Sequence, residues 1–119
     1  MEAAPTDPLR LVSDQVEAYN DRDLERILSY YSEDAVILGA EGAVIAAGKP
    51  AIREVFDKVF SANPKLHAAV PTAVRVGDWV AIHSIVEDWV CADGSQGRME
   101  WVELYQVVGD KIRRVQLFS

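Results

Sequence analysis

The sequence predicts an α+β fold in which about three helices come first and a strongly curved, mixed but mainly antiparallel sheet follows, the two enclosing a pocket. Three observations carry this. Helix-period apolar patterning is confined to the first half of the chain, between Leu9 and Phe60. The second half reads as extended segments separated by glycine turns. Helices followed by strands, without regular alternation, mark the α+β class. The extended segments also run about twice the usual ~5–6 residues, a length that suits a bent sheet.

With 119 residues the chain has the length of one domain. Half of it is apolar and 26% is charged, an ordinary globular composition. Residues 1–8 read as a loose acidic, proline-containing tail, and residues 9–119 as the single domain.

The first helix is expected from about Leu9 to Asp21, with Leu9, Val12, Val16 and Tyr19 on one face. Asp7 before Pro8 supplies an N-cap with proline at the first helical position. Asp23 caps a second, short helix with Leu24, Ile27, Leu28 and Tyr31 on its buried face. Ala35–Leu38 reads as a strand, Glu41-Gly42 as a turn, and Ala43–Ala47 as its returning partner. Gly48-Lys49-Pro50 opens a third helix, which Asn63-Pro64 ends. Its Ile52, Val55, Phe56, Val59 and Phe60 form the cleanest helical stripe in the chain. Leu66–Val76 is extended, with Pro71 implying a bulge or an edge. Trp79–Cys91 and Arg98–Val108 form a hairpin about Asp93-Gly94, and Lys111–Phe118 completes the sheet.

Composition excludes several function classes. A net charge of −7 with scattered Lys and Arg argues against nucleic acid and against an anionic membrane surface. Cys91 is the single cysteine, so no internal disulfide forms. No segment reaches the ~18 apolar residues of a membrane span, and Met1–Pro8 lacks signal-peptide character, so a cytoplasmic protein is expected. No phosphate-cradling or dinucleotide motif is present. His83 and Glu87 lie about 13 Å apart along one strand, too far to share an ion. Neither metal nor cofactor is expected.

Alternation divides the long strands. One face of Trp79–Cys91 carries Trp79, Ala81, His83, Ile85, Glu87 and Trp89; the other carries Val80, Ile82, Ser84, Val86, Asp88 and Val90. On the next strand Met99, Trp101, Glu103, Tyr105 and Val107 oppose Val102, Leu104, Gln106 and Val108. Two readings compete. Either the mixed faces are concave and line a pocket, or the aliphatic faces are the core and the mixed faces are exposed or form a dimer contact. His83 is either a hydrogen-bonded surface residue or a general acid–base group. Glu103 is either exposed, or buried with a raised pKa suited to proton transfer. Tyr31 and Tyr105 are either core residues or hydroxyl donors.

The order of elements, with Tyr19-Asn20-Asp21-Arg22-Asp23-Leu24, Tyr31-Ser32-Glu33-Asp34-Ala35-Val36, Gly48-Lys49-Pro50-Ala51-Ile52-Arg53 and Trp101-Val102-Glu103-Leu104-Tyr105-Gln106-Val107, resembles the nuclear-transport-factor-2-like superfamily. The likeness is to its SnoaL-like and ketosteroid-isomerase-like members, and it runs from about Leu9 to Ser119. It implies a cone with a deep pocket for a small apolar or amphipathic molecule, and a homodimer formed through the sheet face. It favours the first reading, with Ala81, His83, Ile85, Glu87, Trp89, Glu103 and Tyr105 inward. Glu103 and His83 are then the candidate acid–base pair, and Tyr31, Phe56, Glu87, Trp89, Trp101 and Tyr105 the candidate ligand-binding set. Standard steroid isomerisation is not implied. The matching base position holds Gly39, the oxyanion tyrosine position holds Gln15, and only the second oxyanion acid, at Glu103, keeps an ionisable group. The family leaves open a small-molecule-binding protein or a cofactor-free isomerase, lyase or hydrolase acting on a ring-containing or polyketide-like metabolite.

Overall fold

The computed structural model describes residues 7–91 and 93–118. Of the tail expected over residues 1–8, the first six lie outside the described residues. Asp7 caps α1 (Pro8–Asn20), accepting a 3.0 Å hydrogen bond from the Leu9 N–H, and Pro8 is the first helical residue. The buried face is rotated slightly from the expected one. Leu11, Val12, Gln15 and Ala18 are buried, whereas Leu9 is exposed. Asp23 caps α2 (Leu24–Ser29) through the Arg26 N–H. Tyr31 does not end that helix; it begins β1 (Tyr31–Leu38), which returns as β2 (Val44–Ala47).

Gly48 joins β2 to α3 (Lys49–Ala62). Its φ of 84° is a left-handed value that favours glycine. There its N–H donates to the Ala35 carbonyl at 2.7 Å, which anchors the start of α3 to β1. The remaining strands are β3 (Ala69–Val76), β4 (Trp79–Val90), β5 (Gln96–Val108) and β6 (Lys111–Phe118).

One six-stranded sheet has the order β2-β1-β6-β5-β4-β3. All neighbours are antiparallel except β1 and β6, which run parallel. The helices pack on the concave side, where Val12, Ile27, Tyr31, Ile52, Val80 and Ile112 form the centre of the core. Burial of these side chains contributes about 1.5–3 kcal/mol each. A second, smaller cluster joins Leu66, Ala68 and Val86 to Trp89 and Trp101.

Residues 63–68, between α3 and β3, are held by side chains. Asn20 donates to the Ala68 carbonyl at 3.0 Å and accepts from the Ala68 N–H at 2.7 Å. Arg22, in a left-handed conformation after α1, donates to the Leu66 carbonyl at 2.7 Å. Asn63 accepts from the Val90 N–H at 2.7 Å.

Candidate functional site

The β4–β5 ladder decides what faces the helices. Val80 pairs with Tyr105, Ile82 with Glu103, Ser84 with Trp101 and Val86 with Met99. Directly paired residues share a face. The aliphatic face of β4 therefore lies with the mixed face of β5, a combination neither reading of the alternation contained. Between Val86 and Trp89 the register shifts, because β4 takes three steps where β5 takes two from Met99 to Gly97. Such a bulge reverses the alternation. Trp89 consequently returns to the inner side, 5.6 Å from Trp101 between ring centroids.

This arrangement leaves a cavity of about 130 Å³ between the helices and the sheet. Gln15, Val16 and Tyr19 of α1 form one wall, and Val55, Phe56 and Val59 of α3 another. Tyr31 and Ile37 of β1 and Ile45 of β2 close one side. Ser84 and Trp89 of β4 and Trp101, Glu103 and Tyr105 of β5 make the floor. The walls are mostly hydrocarbon and aromatic ring, with a few convergent polar groups, as in ligand cavities generally.

Glu103 is the polar centre. Its Oε1 accepts from the Ser84 hydroxyl at 2.9 Å and from the Tyr105 hydroxyl at 3.2 Å. Burial raises its pKa above the ordinary carboxylate range. The Trp101 indole N–H, the Ser84 hydroxyl and the Tyr105 hydroxyl oppose that rise by favouring the anion. Burial, and then the nearby Glu103 charge, also raise the pKa values of Tyr19, Tyr31 and Tyr105, so all three stay neutral hydroxyls. Gln15 is 3% exposed, and its Oε1 has no hydrogen-bond partner among the described residues. One carboxyl poised for proton exchange beside neutral hydroxyls can hold a polar ligand group or move a proton.

The structure brings together Tyr31, Phe56, Trp89, Trp101, Glu103 and Tyr105, as the sequence suggested. It does not bring in His83 or Glu87. His83 pairs with Val102 on the convex face, and its Nε2 lies 2.7 Å from Glu100 Oε1. Glu87 is exposed and faces Arg98 at 3.4 Å. Ala81 and Ile85 share that outer side, opposite Leu104 and Glu100. The bulge is the physical reason: alternation carried back from the hairpin turn without it puts Ala81–Glu87 on the wrong side. The expected Glu103–His83 pair is therefore not assembled. Gly39 follows β1 directly and offers the cavity no side chain. Tyr19 and Ser84 were missed. A lone serine among Val80, Ile82 and Val86 was the available signal, since a buried hydroxyl needs a partner.

The geometry can be set beside known proteins. The model of the SnoaL-like domain matches residues 12–115. No curated protein matches the sequence. A cystatin-fold protein from Novosphingobium aromaticivorans is 28% identical, with a TM-score of 0.86 over 96% of this chain and 99% of its own. TerC, co-crystallised with polyporic acid, is 19% identical, with a TM-score of 0.78 over 94% of this chain and 91% of its own. A protein of ketosteroid-isomerase-like fold from Catenulispora acidiphila, in complex with trimethylamine, is 17% identical. Its TM-score is 0.76 over 92% of this chain and 84% of its own. With the family model spanning most of its length, the chain belongs to the SnoaL-like family, within the nuclear-transport-factor-2-like fold.

Proposed function

We propose that the chain binds a small, largely apolar molecule in the cavity between its helices and the concave face of its sheet. One observation carries this: an apolar cavity of about 130 Å³ contains a carboxyl and a buried amide oxygen without a partner among the described residues. Unsatisfied buried polar groups are uncommon, and a ligand is one way to satisfy them. Fold neighbours in complex with trimethylamine and co-crystallised with polyporic acid support the use of such a fold for small molecules, and fold alone does not set the ligand.

The experiment is thermal stability of the purified protein against steroids, aromatic polyketides, epoxides, small carboxylates and small amines. A ligand at a hundred times its Kd adds ~2.7 kcal/mol, several degrees for a domain of this size. Tyr31→Ala should abolish the shift. A panel without any shift would sink the reading.

A second reading rests on the raised Glu103 pKa. Glu103, acting alone as acid–base group with Tyr19 or Tyr31 polarising a carbonyl, would make the protein a cofactor-independent isomerase, lyase or hydrolase. Once a ligand is known, Glu103→Gln separates the two readings: turnover is lost under catalysis, and affinity alone changes under binding. The exposed apolar residues Val74, Val76, Trp79, Val102 and Phe118 lie on the convex side, and we propose that they form a homodimer contact.

A further inference from the structure

The polar groups of the cavity are unbalanced, and the imbalance describes a ligand. Among the described residues, Glu103 is the one carboxyl that lines it, and no Lys, Arg or His does so. Both protein hydroxyls that reach this carboxyl, from Ser84 and Tyr105, donate to Oε1. The Trp101 indole N–H is the third protein donor toward this carboxyl, and none of the three carries a charge. Gln15 Oε1 is a buried acceptor without a donor among the described residues. The hydroxyls of Tyr19 and Tyr31 turn to donate or accept, so they suit either kind of ligand. A carboxylate has no such freedom, and Gln15 as it is oriented presents an oxygen without a donor among the described residues. A ligand that only accepts would leave that oxygen unpaired and the Glu103 carboxylate without a counter-charge, at the cost of burying them so.

The walls add a second criterion. Tyr19, Tyr31, Phe56, Trp89, Trp101 and Tyr105 all line the cavity. Aromatic faces attract cations through their quadrupoles, and alkylammonium groups are held by aromatic cages on this principle. An anion would meet the same rings and Glu103 unfavourably. The volume of about 130 Å³ is close to that of a cavity known to hold one benzene molecule, of ~150 Å³.

We infer that the ligand is a compact protonated amine with a ring-sized apolar body, its N–H groups donating to the Glu103 carboxylate and to Gln15 Oε1. This rests on the small-molecule reading above and narrows it to one charge class. The amine keeps its proton and pairs with the carboxylate form of Glu103.

The groups that face Glu103 make its charge state readable. Tyr19 of α1, Tyr31 of β1 and Tyr105 of β5 remain neutral hydroxyls. From β4 come Ser84 and Trp89, whereas α3, β2 and β6 contribute only apolar side chains. Glu103 is therefore the carboxyl in the cavity whose charge answers to pH, with burial raising its pKa. Amine affinity falls as pH is lowered and Glu103 takes up its proton. Affinity for a neutral analogue stays level.

The test is calorimetric titration with benzylamine, benzyl alcohol and benzoate, which share a ring and differ in charge. Benzylamine is expected to bind at least tenfold more tightly than the alcohol, with benzoate weakest. Glu103→Gln, nearly the same shape, should bring the amine down to the affinity of the alcohol. The amine proposal is overturned if the alcohol or benzoate binds as tightly as the amine, and the cavity reading then survives. It is also overturned if the preference persists in Glu103→Gln. If none of the three binds and the broader stability panel yields a ligand without an amine, the amine falls alone; a small amine found there upholds it. If that panel is silent too, both readings fall. The ranking in the unmodified protein decides even if the variant folds poorly.

Discussion

Glu100 and Glu103 lie three residues apart on β5 and belong to different worlds. Glu100 is on the convex face, where it meets His83 and Arg98 with solvent on all of them. Glu103 is on the concave face, where it meets only neutral hydroxyls and an indole. The first is an exposed ion pair of the kind worth about 0–1 kcal/mol. The second is held in a medium that penalises its charge, so its proton becomes available to a ligand or a reaction. The comparison teaches that residue type was a poor guide to chemistry here and strand parity a good one. His83, the more obvious acid–base group, stands on the convex side, away from this cavity.

The comparison can be broken first with a matched pair on β4. Ile82 is buried on the concave face, and Ile85 is partly exposed on the convex face. Ile82→Ala is expected to cost about 2–5 kcal/mol in urea unfolding, whereas Ile85→Ala costs less than about 1 kcal/mol. Equal costs would mean that the faces are misassigned. Next, Val102→Glu places a charge at the centre of the proposed dimer contact. Light scattering should then find a monomer with a near-normal melting temperature; an unchanged mass would remove the convex face from consideration.

A third experiment sharpens the contrast between the carboxylates through pH. The folded pKa of Glu103 is raised above its unfolded value of ~4.3. The folded state then holds its proton more tightly than the unfolded state. The stability this contributes is present below the unfolded pKa and is lost as pH rises through the folded one. Glu103→Gln has no such loss. Its stability relative to the wild type should therefore climb from about pH 4 upward and level off once the native Glu103 is ionised. A flat difference would show that burial does not govern this carboxyl. The smallest effect is reserved for His83→Gln, expected within ~1 kcal/mol of wild type and without influence on ligand affinity. A large loss of binding would return His83 to the site.

How legible the molecule was follows the same division. The helical stripe Ile52, Val55, Phe56, Val59 and Phe60 announced α3, and Ile52 and Phe56 are the residues it buries most deeply. The caps Asp7 and Asp23 fixed where α1 and α2 begin. Glycine turns separated the long strands, and of the residues the resemblance put inward, Trp89, Glu103 and Tyr105 do line the cavity. The inner face of β4 was not legible. A bulge is one extra residue inside a continuous β-branched run, and no glycine or proline marks it between Val86 and Trp89. Tyr31 was assigned to the wrong element because a buried aromatic after a short helix satisfies either periodicity. The unpartnered Gln15 oxygen depends on three-dimensional surroundings that a sequence does not list.

The side-chain hold on residues 63–68 has a consequence in time. Ala68 belongs to the cavity wall, and Leu66 packs beneath Trp89 and Trp101. This part of the wall lies outside any regular ladder, and Asn20, Arg22 and Asn63 pin it. Local opening follows the weakest such attachments rather than global unfolding. On the binding reading proposed above, the lifetime of a bound molecule would then depend on Asn20 as well as on the groups that touch it. Loosening that latch speeds arrival and departure together, and deuterium uptake at the Ala68 and Val90 amides times how often it lifts.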